Sequence, residues 1–227
     1  MLAIGVLLVY LSLPRVVSTL LAAPGEVVLE RLKTGQSVGE HGIADARASF
    51  LAAGAALPSD YRTPRDLALV ELVAAQRTPA EDTVERGKRL EAAIEASHRS
   101  LAANPAQPYV WLRLAQAELQ HSGVGVKAAL AFTMSLETGP QVIDLMQPRV
   151  VLGLVLWPVL DETQQARVLA QIRGLARYNA RILAETVLDR PGLPQVRTAL
   201  ADEPELMAAF LRWYLQRRTP GLRQPVQ

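Results

Sequence analysis

The chain has 227 residues, 50% of them hydrophobic, with 24 Lys and Arg against 22 Asp and Glu. That length suits one folded unit plus a membrane segment and is too short for two large domains. The near balance of charge leaves no electrostatic footprint for nucleic acid, and the absence of cysteine removes disulfides, thiolate nucleophiles and thiolate metal sites. Aromatic residues make up only 5%, and the chain is rich in Ala, Leu and Arg, which lose little on entering a helix. An all-α fold is expected.

The first element is LAIGVLLVYLSLPRVVSTLLAA, residues 2–23, which carries a single charge, Arg15. A continuous helix of this length, at ~1.5 Å per residue, covers a hydrocarbon core of about 30 Å. Residues 1–23 therefore read as a single-pass membrane anchor. A cleaved signal peptide fits less well: no Lys or Arg precedes the apolar run, and Pro24 stands where cleavage would fall. Pro14 removes a backbone donor and is expected to kink the helix. A break there would leave residues 2–13 too short to span and lay VVSTLL along the interface. The charges that follow (Glu26, Glu30, Arg31, Lys33) are mixed and give no orientation.

Residues 24–43 read as a membrane-proximal segment and linker, ending in the polar, Gly-rich TGQSVGEHG of 34–42. Residues 44–217 form the helical domain. Helices are expected at about 44–56, 64–76, 79–103, 108–121, 124–137, 141–157, 162–177, 179–189 and 203–217. The start signals are Thr63 before Pro64 with Asp66 in the first turn, the capping box Thr78-Pro79-Ala80-Glu81, Asp161-Glu162-Thr163-Gln164, and Asp202-Glu203-Pro204-Glu205. Pro148 falls inside a helix and is expected to bend it. Residues 218–227, largely TPGLRQPVQ, are too rich in Pro and polar groups to continue the last helix and read as a flexible or partner-bound tail.

Short helices joined by short loops call for a search for a period. In NPAQPYVWLRLAQAEL, residues 104–119, Trp111, Leu114 and Ala115 take the spacing of the first helix of a tetratricopeptide repeat. Ala128, Phe132, Ser135 and Pro140 follow its second helix if the turn holds one extra residue. Residues 108–140 thus resemble one tetratricopeptide unit, with Ala115 at the usual glycine and Glu118 near the usual large aromatic. Residues 64–105 and 141–177 are degenerate candidate pairs, and 179–217 a C-terminal cap. The resemblance implies antiparallel hairpins stacked as a short array after the N-terminal membrane helix. The alternative is an irregular bundle containing one such hairpin.

Chemistry-bearing motifs are absent: the sequence holds no P-loop, HExxH or nucleophile elbow. His41, His98 and His121 stand in a linker, on a polar helix face and at a helix end, and read as solvated residues. Asp202, Glu203 and Glu205 read as helix caps and not as an acid/base pair. The apolar-face aromatics Phe210, Trp213 and Tyr214 read as core closure. No catalytic residue, metal site or cofactor is expected. In a tetratricopeptide hairpin the first helix lines the groove. The resemblance places Tyr109, Leu112, Gln116 and Gln120 there as partner-binding residues, unless Tyr109 and Leu112 pack on the preceding hairpin.

Over residues 44–178 the succession PYVWLRLAQAEL, AFTMSLETGP, PRVVLGLVLWPVLD and ARVLAQIRGLARYN also resembles membrane-anchored helical-repeat proteins of bacterial exopolysaccharide and cell-envelope biosynthesis. That resemblance implies a non-catalytic adaptor at the inner membrane, with a periplasmic helical domain and an integral-membrane polysaccharide synthase or exporter as its protein partner. A glycan-acting enzyme on an all-α scaffold and a soluble chaperone-like repeat protein are the alternatives.

Overall fold

The computed structural model describes residues 2–218, and side chains from residue 12 onward. The described residues form ten α-helices and no strand. In chain order these are α1 (Leu2–Lys33), α2 (Glu40–Ala56), α3 (Arg62–Arg77), α4 (Thr83–Ala103), α5 (Pro108–Ser122), α6 (Val126–Thr138), α7 (Ile143–Leu156), α8 (Glu162–Val187), α9 (Leu193–Ala199) and α10 (Pro204–Arg218). Most of the expected tail, residues 219–227, lies outside the described residues. The chain divides into two compact units, residues 1–123 and 124–227, where the sequence suggested one. The boundary falls between Gly123 and Val124, so α5 belongs to unit 1 and α6 to unit 2.

Unit 1 begins inside the expected membrane anchor. Helix α1 runs unbroken through Pro14 and Pro24 and is long and apolar enough to cross a membrane by length and composition, with a candidate span of Ser12–Lys33. Its residues 12–17 are exposed, but from Ser18 onward one face is buried at Ser18, Ala22, Gly25 and Leu29. The spacing is helical and the residues are small, so two helix axes approach closely. Ser18 donates its hydroxyl to the Ala53 carbonyl at 3.0 Å. A Cβ at Gly25 would lie 2.9 Å from the Phe50 ring and 3.2 Å from the Ala46 carbonyl oxygen. These contacts run in opposite directions along the two chains, so α1 and α2 are antiparallel. Residues 24–33, expected as a membrane-proximal segment, continue α1, and α2 starts at Glu40, inside the expected linker.

The core of unit 1 gathers Ala22 and Leu29 with Ile43, Ala46, Phe50, Ala53, Leu67, Ala68, Val70 and Ala96. A second cluster, Leu72, Ala75, Leu90, Ala93 and Ala117, joins α3, α4 and α5. Two helix starts differ from expectation. Thr63 is not the cap of α3: the helix begins at Arg62, whose N–H is accepted by Asp60 Oδ1 at 3.2 Å, and Thr63 is buried. Thr78 closes α3 instead of opening α4, donating its hydroxyl to the Ala74 carbonyl at 2.9 Å. Asp82 is the cap of α4, accepting from the Glu85 N–H at 3.0 Å. Aspartate outranks threonine at this position, and the helix starts where the better acceptor stands.

Unit 2 packs α6 through α10. A Cβ at Gly153 of α7 would lie 2.8 Å from Val168 of α8 and 3.0 Å from Phe132 of α6, so glycine is what admits this approach. Arg149 of α7 is fully buried. Its guanidinium donates to Ser135 Oγ at 3.1 Å, to the Ser135 carbonyl and to the Gly139 carbonyl at 2.7 Å. The cation thereby closes the C-terminus of α6, where orphan carbonyls and the negative end of the helix dipole meet. Helix α7 continues through Pro148 and ends in a 3-10 turn at Trp157–Val159.

Asp161 and Gln164 form the expected capping box of α8, at 2.8 and 2.9 Å. Asn179 (φ −162°, ψ 98°) interrupts α8 and caps its second part through Oδ1, which accepts from Arg181 and Ile182 N–H. This matches the break expected between 177 and 179. Helix α9 was not expected. Pro194 occupies its first turn, where a missing N–H costs nothing.

Candidate functional site

The four expected partner-binding residues lie along one side of α5. Tyr109 and Gln120 are exposed, Gln116 is half-buried, and Leu112 is buried at 4% exposure. The structure therefore brings Tyr109, Gln116 and Gln120 to the surface as a polar strip and puts Leu112 beneath it. The strip starts from a fixed N-terminus. Pro108 is in the first turn, Trp111 donates its indole N–H to the Pro105 carbonyl at 2.8 Å, and buried Gln107 donates to the Asn104 carbonyl at 2.8 Å. The remaining resemblance positions Leu114, Ala115, Ala128, Phe132 and Ser135 are buried, while Trp111 is half-buried and Pro140 exposed.

Arg113 anchors α5 against α3, donating to the Arg65 carbonyl at 3.2 Å. Burial pushes its pKa down to about 10, opposed by the attraction of Asp66, so it remains a cation at neutral pH. Asp66 is committed to Arg65, which it meets in a bidentate pair at 2.8 Å for both bonds. That hydrogen bonding raises the Arg65 pKa.

The largest opening in unit 1 among those described is a cleft of about 480 Å³ between α2, the α3–α4 turn and α4. Ile43, Leu51, Ala74 and Pro79 form its apolar wall, and Glu40, Arg47, Arg77, Asp82, Glu85 and Arg89 its charged rim. Two of the rim cations, Arg47 and Arg89, are held by Glu71. That carboxylate is 1% exposed and accepts from Arg47 at 2.5 Å and Arg89 at 3.3 Å, while Arg89 also reaches Glu85 at 2.7 Å. These charges tie α2, α3 and α4 together, which leaves the cleft a structural seam more than a set of groups aimed at a ligand.

Removing partners from this network has an asymmetric effect. Arg89→Ala leaves the buried Glu71 with one cation fewer, at an expected loss of about 1–3 kcal/mol. Glu71→Leu costs less, because Arg47 and Arg89 are partly exposed and can turn to water or to Glu85. Urea titration of both variants checks this, and the reverse order of stabilities would rule the account out.

In unit 2 one of the three acids at the start of α10 is held by arginines. Glu203 is bound by Arg177 at 2.7 Å and by Arg173 at 3.4 Å. Tyr214 stacks on buried Phe210 at 5.4 Å between centroids, and Arg181 lies 5.5 Å from the Trp213 ring centre. Arg181 and Arg217 both bind Glu185, at 3.0 and 2.6 Å. The Arg181 hydrogen bond, with Arg217 adding, holds the Glu185 carboxyl below its ordinary 4.5. A depressed carboxyl pKa contributes stability above the unfolded value and loses it as pH falls through the folded one. At low salt Glu185→Gln is expected to melt below the parent chain at neutral pH and to converge with it below pH 4.5. A gap that survives acidification would remove the electrostatic explanation. Among the described residues no group of three or more His, Asp or Glu is placed to hold a metal ion.

The fold and surfaces define an all-helical protein with one helix able to cross a membrane. The chain matches no known protein family, no curated protein and no solved structure.

Proposed function

We propose that this protein is a non-catalytic, membrane-anchored adaptor that binds a protein partner through the exposed side of α5. The observation that carries the reading is the dual role of α1, whose residues 12–17 are exposed and apolar apart from Ser12 and Arg15, while residues from Ser18 onward form part of the core of unit 1. A helix continuous from an anchor into a folded unit holds that unit at a fixed distance from the bilayer and raises its effective concentration beside an integral-membrane partner. The tetratricopeptide-like stacking of hairpins, the bacterial inner membrane, the periplasmic side and a polysaccharide synthase or exporter as partner belong to this proposal. They rest on the two sequence resemblances.

The test is a mild-detergent purification of the full-length chain from native membranes, beside the triple variant Tyr109→Ala, Gln116→Ala, Gln120→Ala. Stoichiometric recovery of one integral-membrane protein with the parent chain, lost with the variant, is the expected result. Equal recovery with both, or none with either, overturns the α5 surface or the adaptor reading respectively. A soluble version must retain Ser18–Lys33, since removing all of α1 would strip Ala22 and Leu29 from the core.

A further inference from the structure

Where α1 leaves unit 1, the turn between α2 and α3 stands beside it. Among the described side chains Ser18 is the first buried one of α1, and a small pocket joins Ser18, Thr19, Ala22 and Glu26 to Asp60, Arg62 and the start of α3. The turn, residues 57–61, is thus level with the point at which the exposed apolar part of the helix begins. Its composition is that of an interface: Leu57 and Pro58 lead, and Asp60 and Arg62 follow, paired at 3.2 Å, with the Arg62 side chain 65% exposed. Arg15, also exposed, precedes Ser18 by one helical turn on α1. Under the turn lies a second pocket of about 350 Å³ with walls mainly of Phe50, Leu51, Leu57, Pro58 and Leu67. Two arginines and a Leu-Pro edge therefore meet at the level where α1 leaves the unit.

We infer that the α2–α3 turn is a docking surface for the head-group layer of a phospholipid bilayer, with Arg15 and Arg62 facing lipid phosphates and Leu57 and Pro58 at the acyl boundary. The inference rests on α1 being membrane-embedded and goes further, because it seats the folded unit directly on the bilayer instead of leaving it on a free tether. Three features of the site support this occupant. The apolar helix is continuous with the site, so a bilayer that holds residues 12–17 reaches the turn. Arginine stems lie along apolar surface while their guanidiniums stay at the polar layer, which suits Arg15 and Arg62. On α1 no charged residue stands between Arg15 and Glu26, and on α2 none between Arg47 and Asp60; the turn's one carboxylate, Asp60, is neutralised by Arg62, whose side chain stays exposed.

The natural absence of cysteine makes single labels unambiguous. Full-length chains carrying Leu13→Cys, Ser59→Cys or Glu91→Cys, each with an environment-sensitive fluorophore, are reconstituted into phosphatidylcholine–phosphatidylglycerol vesicles. Lipids brominated along the acyl chain or spin-labelled at the head group report depth. The expected result is quenching of the Leu13 label by acyl-chain bromine, of the Ser59 label by the head-group spin, and of the Glu91 label by neither. In the Arg15→Gln, Arg62→Gln background the Ser59 quenching falls severalfold while that of Leu13 persists. Quenching at Leu13 with none at Ser59 overturns the docking surface and leaves the anchor standing. Absence of quenching at both positions overturns the anchor and the docking surface together.

Discussion

Replacement of Arg149 by methionine is expected to lower the stability of unit 2 by about 3–5 kcal/mol, since more than one hydrogen bond from a buried cation is lost at about 1.5–3 kcal/mol each. The side chain is completely enclosed and donates to Ser135 Oγ and to the carbonyls of Ser135 and Gly139. Methionine fills much of the volume but donates nothing, so the buried hydroxyl and carbonyl of Ser135 lose their charged donor, while the Gly139 carbonyl keeps the Val142 N–H. Arg149→Lys keeps the charge and loses the planar fork, and an intermediate loss is expected. Urea unfolding gives the magnitude, and hydrogen exchange should place the loss in α6 and α7. A methionine variant within about 0.5 kcal/mol of the parent would show that the arginine only fills space.

The second large effect is expected at Phe50. Truncation to alanine removes a ring that is 1% exposed and lies between α1 and the rest of unit 1, at about 3–5 kcal/mol. Increased exchange of the amides in residues 18–33 is the accompanying sign, because Phe50 faces Gly25 of α1. The same contact predicts non-additivity. Gly25→Leu overpacks the parent chain by about 1–3 kcal/mol, since its Cβ alone would stand 2.9 Å from the ring. In the Phe50→Ala background the new side chain enters the space that the ring vacates, and its penalty should shrink or vanish. Additive losses would mean that the two positions do not share the space between α1 and α2.

Much of the helical layout was legible because it is local. Alternation of apolar residues at helical spacing, the Asp161 box and the break near Asn179 depend on neighbours along the chain, and the structure has each of them. Competing local signals were harder to rank. Thr78 and Asp82 both precede helical sequence, and only the carboxylate became the cap. Helix α9 is short and flanked by prolines, which usually break helices, although Pro194 sits in its first turn, a position a helix tolerates. The double nature of α1 left a trace, the small residues Ser18, Ala22 and Gly25 at helical spacing, but in an apolar run that trace is easily assigned to lipid. Charge pairing was out of reach, because Glu71 meets Arg47 and Arg89 only once three helices have assembled. Of the candidate site, helical spacing gave the common side of Tyr109, Gln116 and Gln120. The burial of Leu112 depends on packing that no spacing rule contains.

The order in which helices pack in unit 1 bears on how the chain is made. The strongest associations are between successive helices, α1 with α2, α2 with α3, α3 with α4 and α4 with α5. A topology of near neighbours closes short loops first, so it folds fast and can do so from the N-terminus while synthesis proceeds. Until α2 has left the ribosome, the small-residue face of α1 has no partner, and the nascent helix is apolar along most of its first 25 residues. The emergence of Phe50 and Ala53 would then mark the moment at which this segment stops being a purely hydrophobic signal and becomes one wall of a core.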